Sequence, residues 1–242
     1  MIRSERYEGE LTLVLSRPDR GNALSQPLVE ELLARVDAAF ADTSVQRLVL
    51  RGEGANFCSG LDLSALEDSS DGQLLHRLVR IEMLLSLLWH APIQTVAVAQ
   101  GRAWGAGADL FAACEVRVAL QGSSYRFPGA LFGVVLGTRR LSEHIGVERA
   151  RQVLVQGEQL DAAQALEVGL ATHATEPGRP AMAVSSATAR ALRQATRTDL
   201  RDSDLAALVR SAAEPGLKLR IAEYSSRVRA RLRGVQSNDQ GS

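Results

Sequence analysis

The feature that most constrains the fold of this chain is the alternation of short apolar β-rich runs with longer amphipathic segments. Residues 11–15 (LTLVL), 48–50 (LVL), 95–99 (TVAVA) and 116–120 (VRVAL) have the composition of strands. Residues 26–40 and 74–89 lie between them and repeat their apolar side chains at helical spacing. Strands that alternate with helices predict an α/β fold with parallel strands and right-handed crossovers.

Local signals place several helix boundaries. Ser25 is suited to cap a helix that begins near Gln26, and Pro27 fits its first turn. The 74–89 helix should end before Pro92, and the polar stretch 64–73 before it was expected to be mobile. Beyond Gly137 the sequence is mainly helical, with helices expected over 148–155, 161–168, 181–193 and 205–233, the last interrupted at Pro215-Gly216. We therefore expect a core over 1–180, a helical region over 181–235 and a disordered tail over 236–242.

Composition excludes several classes of protein. The 28 Lys and Arg residues balance the 28 Asp and Glu residues, so the basic excess typical of nucleic-acid binding is missing. The longest apolar run, residues 81–89, is too short to span a bilayer, and the first ten residues contain no apolar segment of a signal peptide. Two cysteines in the whole chain indicate a reducing compartment, so a cytoplasmic location is expected.

Two glycine-containing turns follow predicted strands, one over residues 58–63 and one over residues 101–109. In an α/β sheet both would lie at the carboxyl ends of strands, where ligands bind. Glycine leaves backbone N–H groups accessible, and two such groups that converge on one point form an oxyanion hole. The alternative is that both turns are only tight connections. The second turn is not the dinucleotide fingerprint, because Leu110 stands where its last glycine should be.

Together these turns resemble those of the crotonase (enoyl-CoA hydratase/isomerase) superfamily. The matching stretches are RPDRGNALS at 17–25, FCSGLDL at 57–63, VAQGRAWGAGAD at 98–109, GTRRL at 137–141 and EQLDAAQALEVGL at 158–170. They occur in the family's order and at nearly its spacing, and the resemblance covers about residues 5–235. It implies a ββα superhelix, a spiral of βαβ turns, with a C-terminal helical part that builds homotrimers, often paired into hexamers.

The resemblance also implies an acyl-CoA thioester as ligand, so that coenzyme A arrives as part of the substrate and no cofactor is permanently bound. The backbone N–H groups of Leu61 and Ala106 would hold the thioester oxygen while an enolate forms. Arg17 and Arg20 could approach the CoA phosphates, or they could be solvated loop residues. The other residues implied in substrate binding are Asn22, Ala23, Leu24, Asp62, Leu63, Ser64 and Gly105.

The acid–base residues depart from the family pattern. Hydratases of this family place two glutamates around the substrate double bond. The first position falls on Asp109, which keeps an acid that is one methylene shorter, and the second falls near Gly129. No Asp or Glu occurs from Val116 to Ser142, so the second carboxylate is missing whatever the alignment. Water addition by two carboxylates is therefore in doubt, whereas one carboxylate can still move a proton between carbons. Asp109 could alternatively be only a helix N-terminal charge.

Other chemically capable side chains carry weaker signals. His76, His90, His144 and His173 have no metal-ligand neighbour, so structural roles and no metal site are expected. Cys58 is next to the first glycine turn, where packing is the better interpretation than a nucleophile. Tyr125 and Glu143 are reserve proton donors, and Lys218 could reach a CoA phosphate of a neighbouring subunit.

The sequence thus predicts an acyl-CoA enzyme of the enoyl-CoA hydratase/isomerase type with Asp109 as its single carboxylate. A decarboxylase of the same superfamily and a CoA-binding subunit with little activity of its own remain alternatives. No nucleic acid or membrane partner is expected.

Overall fold

A computed structural model of the chain describes residues 1–179 and 182–238. Five strands form the larger sheet: β1 (Ile2–Tyr7), β2 (Glu10–Leu15), β3 (Arg47–Gly52), β4 (Gln94–Ala99) and β6 (Val116–Ala119). They lie side by side in the order β1-β2-β3-β4-β6. Every pair from β2 to β6 is parallel, which confirms the predicted parallel core, and only β1 pairs antiparallel with β2.

A smaller sheet consists of three short strands that the sequence did not reveal, β5 (Arg102–Trp104), β7 (Ser124–Arg126) and β8 (Gln159–Asp161). The chain beyond β3 joins this sheet, because Cys58 forms a parallel bridge with Ala103. The two glycine turns are thereby brought side by side at the carboxyl ends of β3 and β4.

The first two helices are α1 (Gln26–Ala41) and α2 (Asp71–Trp89). The Ser25 hydroxyl accepts a hydrogen bond from the Leu28 amide, which confirms the predicted cap of α1. Helix α2 begins three residues before its predicted start, because Ser70 and Gln73 form a capping box. The expectation of a mobile segment up to residue 73 was therefore wrong for its last three residues.

Helix α3 (Ala106–Ala112) follows the second glycine turn, and α4 (Thr138–Ile145), α5 (Val147–Gln156) and α6 (Ala162–Glu167) follow in the middle of the chain. The C-terminal part contains α7 (Ser186–Ala195), α8 (Arg201–Ala212) and α9 (Leu217–Asn238). Pro215-Gly216 separates α8 from α9, as the sequence predicted. Helix α9 reaches into the segment expected to be a disordered tail, while residues 239–242 of that tail, and the division at residues 180 and 181, lie outside the described residues.

Two apolar clusters hold these layers together. The larger one packs α1, the second half of α2 and α3 against the five-stranded sheet. The smaller one joins the first half of α2 to the C-terminal helices through Leu74 and Leu78 of α2, Leu208 of α8, and Leu217 and Ile221 of α9. Helix α9 is thus packed on the core of its own chain. Among the described residues, no helix combines the length and apolarity needed to cross a bilayer.

The approach of α3 to the chain beyond β3 depends on Gly107. A Cβ atom at this position would lie 2.2 Å from the carbonyl oxygen of Cys58, far inside van der Waals contact, and both groups belong to the backbone. The two segments can therefore pack at this distance only when residue 107 has no side chain.

We expect Gly107→Ala to destabilise the protein by about 2 kcal/mol or more, since α3 must move away from Cys58 or the core must expand. Urea unfolding measures the loss. Gly72→Ala is the matched control, because a Cβ atom there meets only the Ser70 hydroxyl, at 3.9 Å, and alanine favours the helix. Equal stability of the two variants would contradict this account of the contact.

Candidate active site

The two glycine turns border one cavity of about 460 Å³. Gly60 has φ +96° and Gly105 has φ +53° with ψ −131°, conformations that other residues rarely adopt. The turns are in direct contact, since a Cβ atom on Gly60 would lie 2.7 Å from the Trp104 carbonyl oxygen and 3.4 Å from the Ala106 amide nitrogen. The sequence prediction that glycine is needed in both turns is therefore supported by their geometry.

Leu61 and Ala106 both line this cavity. Ala106 is the first residue of α3, so its N–H has no acceptor within the helix. The neighbouring amides are occupied: Gly105 donates to Arg126, and Asp62 donates to Leu24. No such acceptor is found for the Leu61 and Ala106 amides in the described part of the chain. Two free donors from adjacent turns are what an oxyanion hole requires.

Asp109 lies on α3, one turn beyond Ala106, and borders the same cavity. Its side chain is 5% exposed, and its Oδ1 atom has no hydrogen-bond partner. Gly137 leaves the space for this carboxyl, because a Cβ atom there would lie 2.1 Å from Oδ1. Burial raises the pKa of Asp109 well above its ordinary value; the charge of Arg140 acts to lower the pKa and that of Glu82 to raise it.

A buried ion pair lies behind Asp109. Both terminal nitrogens of Arg140 donate to the Glu82 carboxylate, at 3.0 and 2.5 Å, and both side chains are almost completely buried. Asp204 of α8 approaches the same guanidinium at 3.4 Å. This network joins α2, α4 and α8 and offsets most of the positive charge of Arg140. It therefore leaves burial as the dominant influence on Asp109.

Asp109 is the only carboxylate among the described residues that line the cavity. Gly129, at the position that the resemblance assigns to the family's second glutamate, is part of the wall and contributes no titratable group. Most of the remaining wall is apolar, from Leu61, Leu63, Leu78, Phe127, Phe132, Val134, Leu136, Leu154, Ile221 and Val228. The described lining thus contains one carboxylate instead of two, as the sequence indicated.

The structure brings Leu61, Leu63, Gly105, Ala106 and Asp109 together around the cavity, but it does not bring all the predicted binding residues there. Ala23 and Leu24 are buried beside the first turn, and Leu24 forms a parallel bridge with Leu61. Asp62 and Ser64 border a separate polar cleft next to Ser25, Gln26 and Pro27. The predicted set is therefore divided between the cavity and its surroundings.

Asn22 and Asp62 have structural hydrogen bonds that the sequence did not reveal. The fully buried Asn22 amide accepts from the Arg17 amide and donates to the carbonyls of Glu53 and Asn56, so its side chain is not available to a ligand.

Burial would raise the pKa of Asp62, but hydrogen bonds from Ser64 and Arg17 outweigh it and lower the pKa. The Arg17 guanidinium pairs with Asp62 and donates to the Ala23 carbonyl, so it is already engaged within the chain, and its approach to a CoA phosphate stays a prediction. Arg20 stays exposed.

The reserve proton donors do not reach the cavity. The buried Tyr125 hydroxyl pairs with Ser123, and burial raises its pKa to about 12. Glu143 lies on the outer face of α4, where it pairs with Arg139. Burial raises the pKa of Cys58 to about 12, in agreement with a packing role. Neither of the two residues predicted as reserve donors lines the cavity.

The histidines and Lys218 also lie away from the cavity wall. His144 is held by the Ala112 carbonyl, and burial lowers its pKa to about 4. His90 is bound to the Ser86 carbonyl, while His76 and His173 are exposed. The Lys218 ammonium donates to the Glu67 carbonyl of its own chain. The described residues contain no cluster of three or more His, Cys, Asp or Glu able to hold a metal ion.

The sequence did not reveal the part played by helix α9. Its Ile221, Tyr224, Ser225 and Val228 complete the cavity wall opposite the glycine turns. These residues lie more than a hundred positions after Asp109, and their spacing on α9 is that of any helix face, so no local signal marks them as lining residues.

Comparison with known proteins gives a consistent result. A sequence model described as enoyl-CoA hydratase/isomerase matches residues 5–207. The chain is 37% identical over 174 residues to the probable enoyl-CoA hydratase echA6 of Mycobacterium tuberculosis, covering 71% of this chain and 69% of the relative. It is 32% identical over 182 residues to the enoyl-CoA isomerase/hydratase fer4 of Mycosarcoma maydis, covering 70% of this chain and 66% of that relative.

Two solved structures are similar over nearly the whole chain. One, described as an enoyl-CoA hydratase/isomerase from Bordetella parapertussis, has a TM-score of 0.87 and 41% identity and covers 92% of this chain and 97% of its own. The other, an enoyl-CoA hydratase/isomerase from Xanthobacter autotrophicus, has a TM-score of 0.80 and 26% identity and covers 98% and 96%.

The raised pKa of Asp109 predicts how stability depends on pH. Between the ordinary aspartate pKa near 3.8 and the raised value, the folded protein keeps a proton that the unfolded chain has released. Stability therefore falls as the pH rises through this window. The asparagine of Asp109→Asn cannot ionise, so this variant serves as the reference. The wild type's unfolding free energy, relative to that of the variant, should fall by at most about 1.4 kcal/mol for each pH unit of increase. Urea unfolding of both proteins over a pH series measures it, and a difference independent of pH would contradict the prediction.

The buried ion pair generates a separate prediction. Glu82→Gln removes the charge that compensates the buried Arg140 guanidinium and leaves Asp204, at 3.4 Å, as its nearest carboxylate; we expect a loss of about 3 kcal/mol in unfolding free energy. Glu30→Gln is a suitable control, since it removes a partly exposed ion pair between Glu30 of α1 and Arg80, which lies on the same helix as Glu82, and should cost less than about 1 kcal/mol. Similar losses of unfolding free energy in the two variants would contradict the prediction that the buried Glu82–Arg140 pair matters more for stability than the Glu30–Arg80 pair.

Proposed function

The chain belongs to the enoyl-CoA hydratase/isomerase family, the crotonase superfamily, and on that premise we propose that it moves a double bond along an acyl-CoA thioester with Asp109 as the proton carrier. The proposal is supported by the cavity that Leu61, Ala106 and Asp109 line together: neither backbone amide has a backbone acceptor, and the described lining contains no second acid. Coenzyme A enters as part of the substrate, and no permanently bound cofactor is needed.

The first step is removal of a proton from C2 of a 3-enoyl thioester. The Asp109 carboxylate takes this proton, and the electron pair left behind spreads over C2, C3, C4 and the thioester oxygen. Hydrogen bonds from the Leu61 and Ala106 amides stabilise the negative charge on that oxygen. Because the amides are fixed by the two glycine turns, they need little reorganisation when the charge develops.

The second step returns the proton to C4. The electron pair moves to form the C2–C3 double bond, Asp109 donates the proton that it accepted, and the carboxylate is regenerated. One carboxyl is sufficient when both carbons lie on the same side of the chain. A raised pKa suits this exchange, because a carboxyl that ionises closer to neutral pH is both a stronger base and a competent acid.

Hydration of a 2-enoyl thioester is the second candidate, and the names of several relatives as enoyl-CoA hydratases favour it. It requires a group that activates water in addition to one that protonates carbon. Asp109 would have to supply both functions, since the described lining of the cavity offers no other carboxylate. A homotrimer or hexamer and a cytoplasmic location accompany either reaction as parts of the proposal.

Asp109→Asn should reduce kcat for the isomerisation of a 3-enoyl-CoA by 10²–10⁴-fold, roughly the range for loss of a general base, and should leave binding of a saturated acyl-CoA nearly unchanged. A coupled assay for 2-enoyl-CoA and calorimetric binding measure the two effects. Glu143→Gln is the charge-matched control, because Glu143 is outside the cavity. Undiminished turnover by Asp109→Asn would refute the assigned role, and binding without any turnover in the wild type would favour a CoA-binding subunit.

Gly105→Ala tests the oxyanion hole separately. The backbone at φ +53° and ψ −131° must rotate to accept alanine, which turns the Ala106 amide away from the thioester oxygen, so we expect kcat to fall by roughly 10²-fold or more. Gly122→Ala is the control. Gly122 also has a positive φ, of +81°, but a Cβ atom there would meet no other atom within 4 Å. If both variants keep full kcat at equal stability, the amide is not part of the catalytic machinery.

A further inference from the structure

A second cavity of about 310 Å³ adjoins the first one. The two share Trp104, Tyr224 and Val228 as lining residues, so these side chains form the boundary between them. The rest of the second cavity is lined by Arg126 of β7, Leu131, Gln156, Gly157 and Arg227 of α9. The second cavity therefore lies next to the first one and has positively charged side chains in its lining.

The Trp104 indole organises the arginines at this boundary. Its Nε1 atom donates to the Ser124 hydroxyl at 3.1 Å, which fixes the plane of the ring. The Cζ atom of Arg102 lies 4.7 Å from the ring centroid and that of Arg126 lies 5.9 Å from it, both within the range of cation–π contacts. An arginine that stacks on a ring keeps its N–H groups available for a ligand at its edge.

These charges lack carboxylate partners. In the described part of the chain, no Asp or Glu oxygen lies within 4 Å of a guanidinium nitrogen of Arg102, Arg126 or Arg227, whereas most of the other arginines have such a partner. The described residues that line the second cavity include no acidic side chain. The region therefore has an unbalanced positive charge beside a mainly apolar substrate cavity.

The second cavity lies away from the segments expected to hold CoA. Residues 22–24 and 61–64 are absent from its lining, while Leu61 and Leu63 border the first cavity and Asp62 and Ser64 border the polar cleft. A thioester whose CoA lies along those segments would thus leave the second cavity free. The Arg126 and Arg227 region is then available to the far end of the acyl group.

We propose that the second cavity binds a carboxylate at the far end of the acyl chain, so that the substrate is a dicarboxylyl-CoA thioester recognised by Arg126 and Arg227. This inference rests on the proposed function and specifies its substrate class. The planar guanidinium forms paired hydrogen bonds with a carboxylate, and the Trp104 and Tyr224 rings border the space beside it. Arg102 adds positive charge at the boundary without being required for direct contact.

The test is calorimetric binding of saturated thioesters, which needs no turnover. The probes are succinyl-, glutaryl-, adipoyl- and pimeloyl-CoA, each compared with the neutral acyl-CoA of equal chain length. We expect at least one acidic thioester to bind roughly tenfold more tightly than its neutral counterpart at low salt, with a preference that falls as salt screens the arginines. Arg126→Gln and Arg227→Gln should each remove most of this preference and leave the affinity for neutral thioesters unchanged. Arg210→Gln, on the exposed face of α8, is the matched control and should retain the preference.

Other results overturn the proposal in distinguishable ways. If both variants weaken acidic and neutral thioesters equally, the arginines contact the CoA phosphates instead. If the wild type binds both series equally well, the carboxylate site does not exist, while the proposed function stands. If no thioester of either series binds, the proposed function fails as well.

Discussion

The close approach between the backbone at Cys58 and helix α3 is the contact on which the site depends. It requires Gly107, because any side chain there would enter the Cys58 carbonyl. The same approach brings Gly60 against the Trp104–Ala106 turn, and Leu61 and Ala106 beside these turns line the cavity. It also sets the position of α3, and with it Asp109. One contact between backbone segments thus positions both parts of the proposed site.

The electrostatic character of Asp109 follows from which groups around it are already paired. Arg140 carries the nearest positive charge named in its environment, but Glu82 binds this charge bidentately and Asp204 approaches it as well. The attraction that would keep Asp109 ionised is therefore largely offset, and desolvation determines the direction of its pKa. A carboxyl that is buried yet borders the cavity is suited to exchange a proton with carbon, which neither a fully solvated nor a salt-bridged carboxylate would do as well.

The parts of this structure that sequence could predict are those with a local physical cause. Parallel strands β2, β3, β4 and β6 were expected because apolar runs alternate with amphipathic helices, and the glycine turns because glycine permits conformations that other residues avoid. Strands β5, β7 and β8 were not expected, since three residues are too few to show a periodicity. The roles of Asn22 and Arg17 were also missed. Their partners at Glu53, Asn56 and Asp62 lie about thirty to forty-five positions further along the chain, so only the fold brings them together.

The mainly apolar wall of the cavity bears on which reaction the single carboxylate can support. Helix α9 places Ile221 and Val228 opposite the glycine turns, and Phe132 and Val134 complete a surface that offers water few hydrogen-bond partners. A water molecule that adds to a double bond needs a base to orient it, and within the described lining only Asp109 could serve. For the proposed isomerisation, the same burial that raises the pKa of Asp109 suits this carboxyl to return a proton to carbon, whereas hydration would require it to activate water as well.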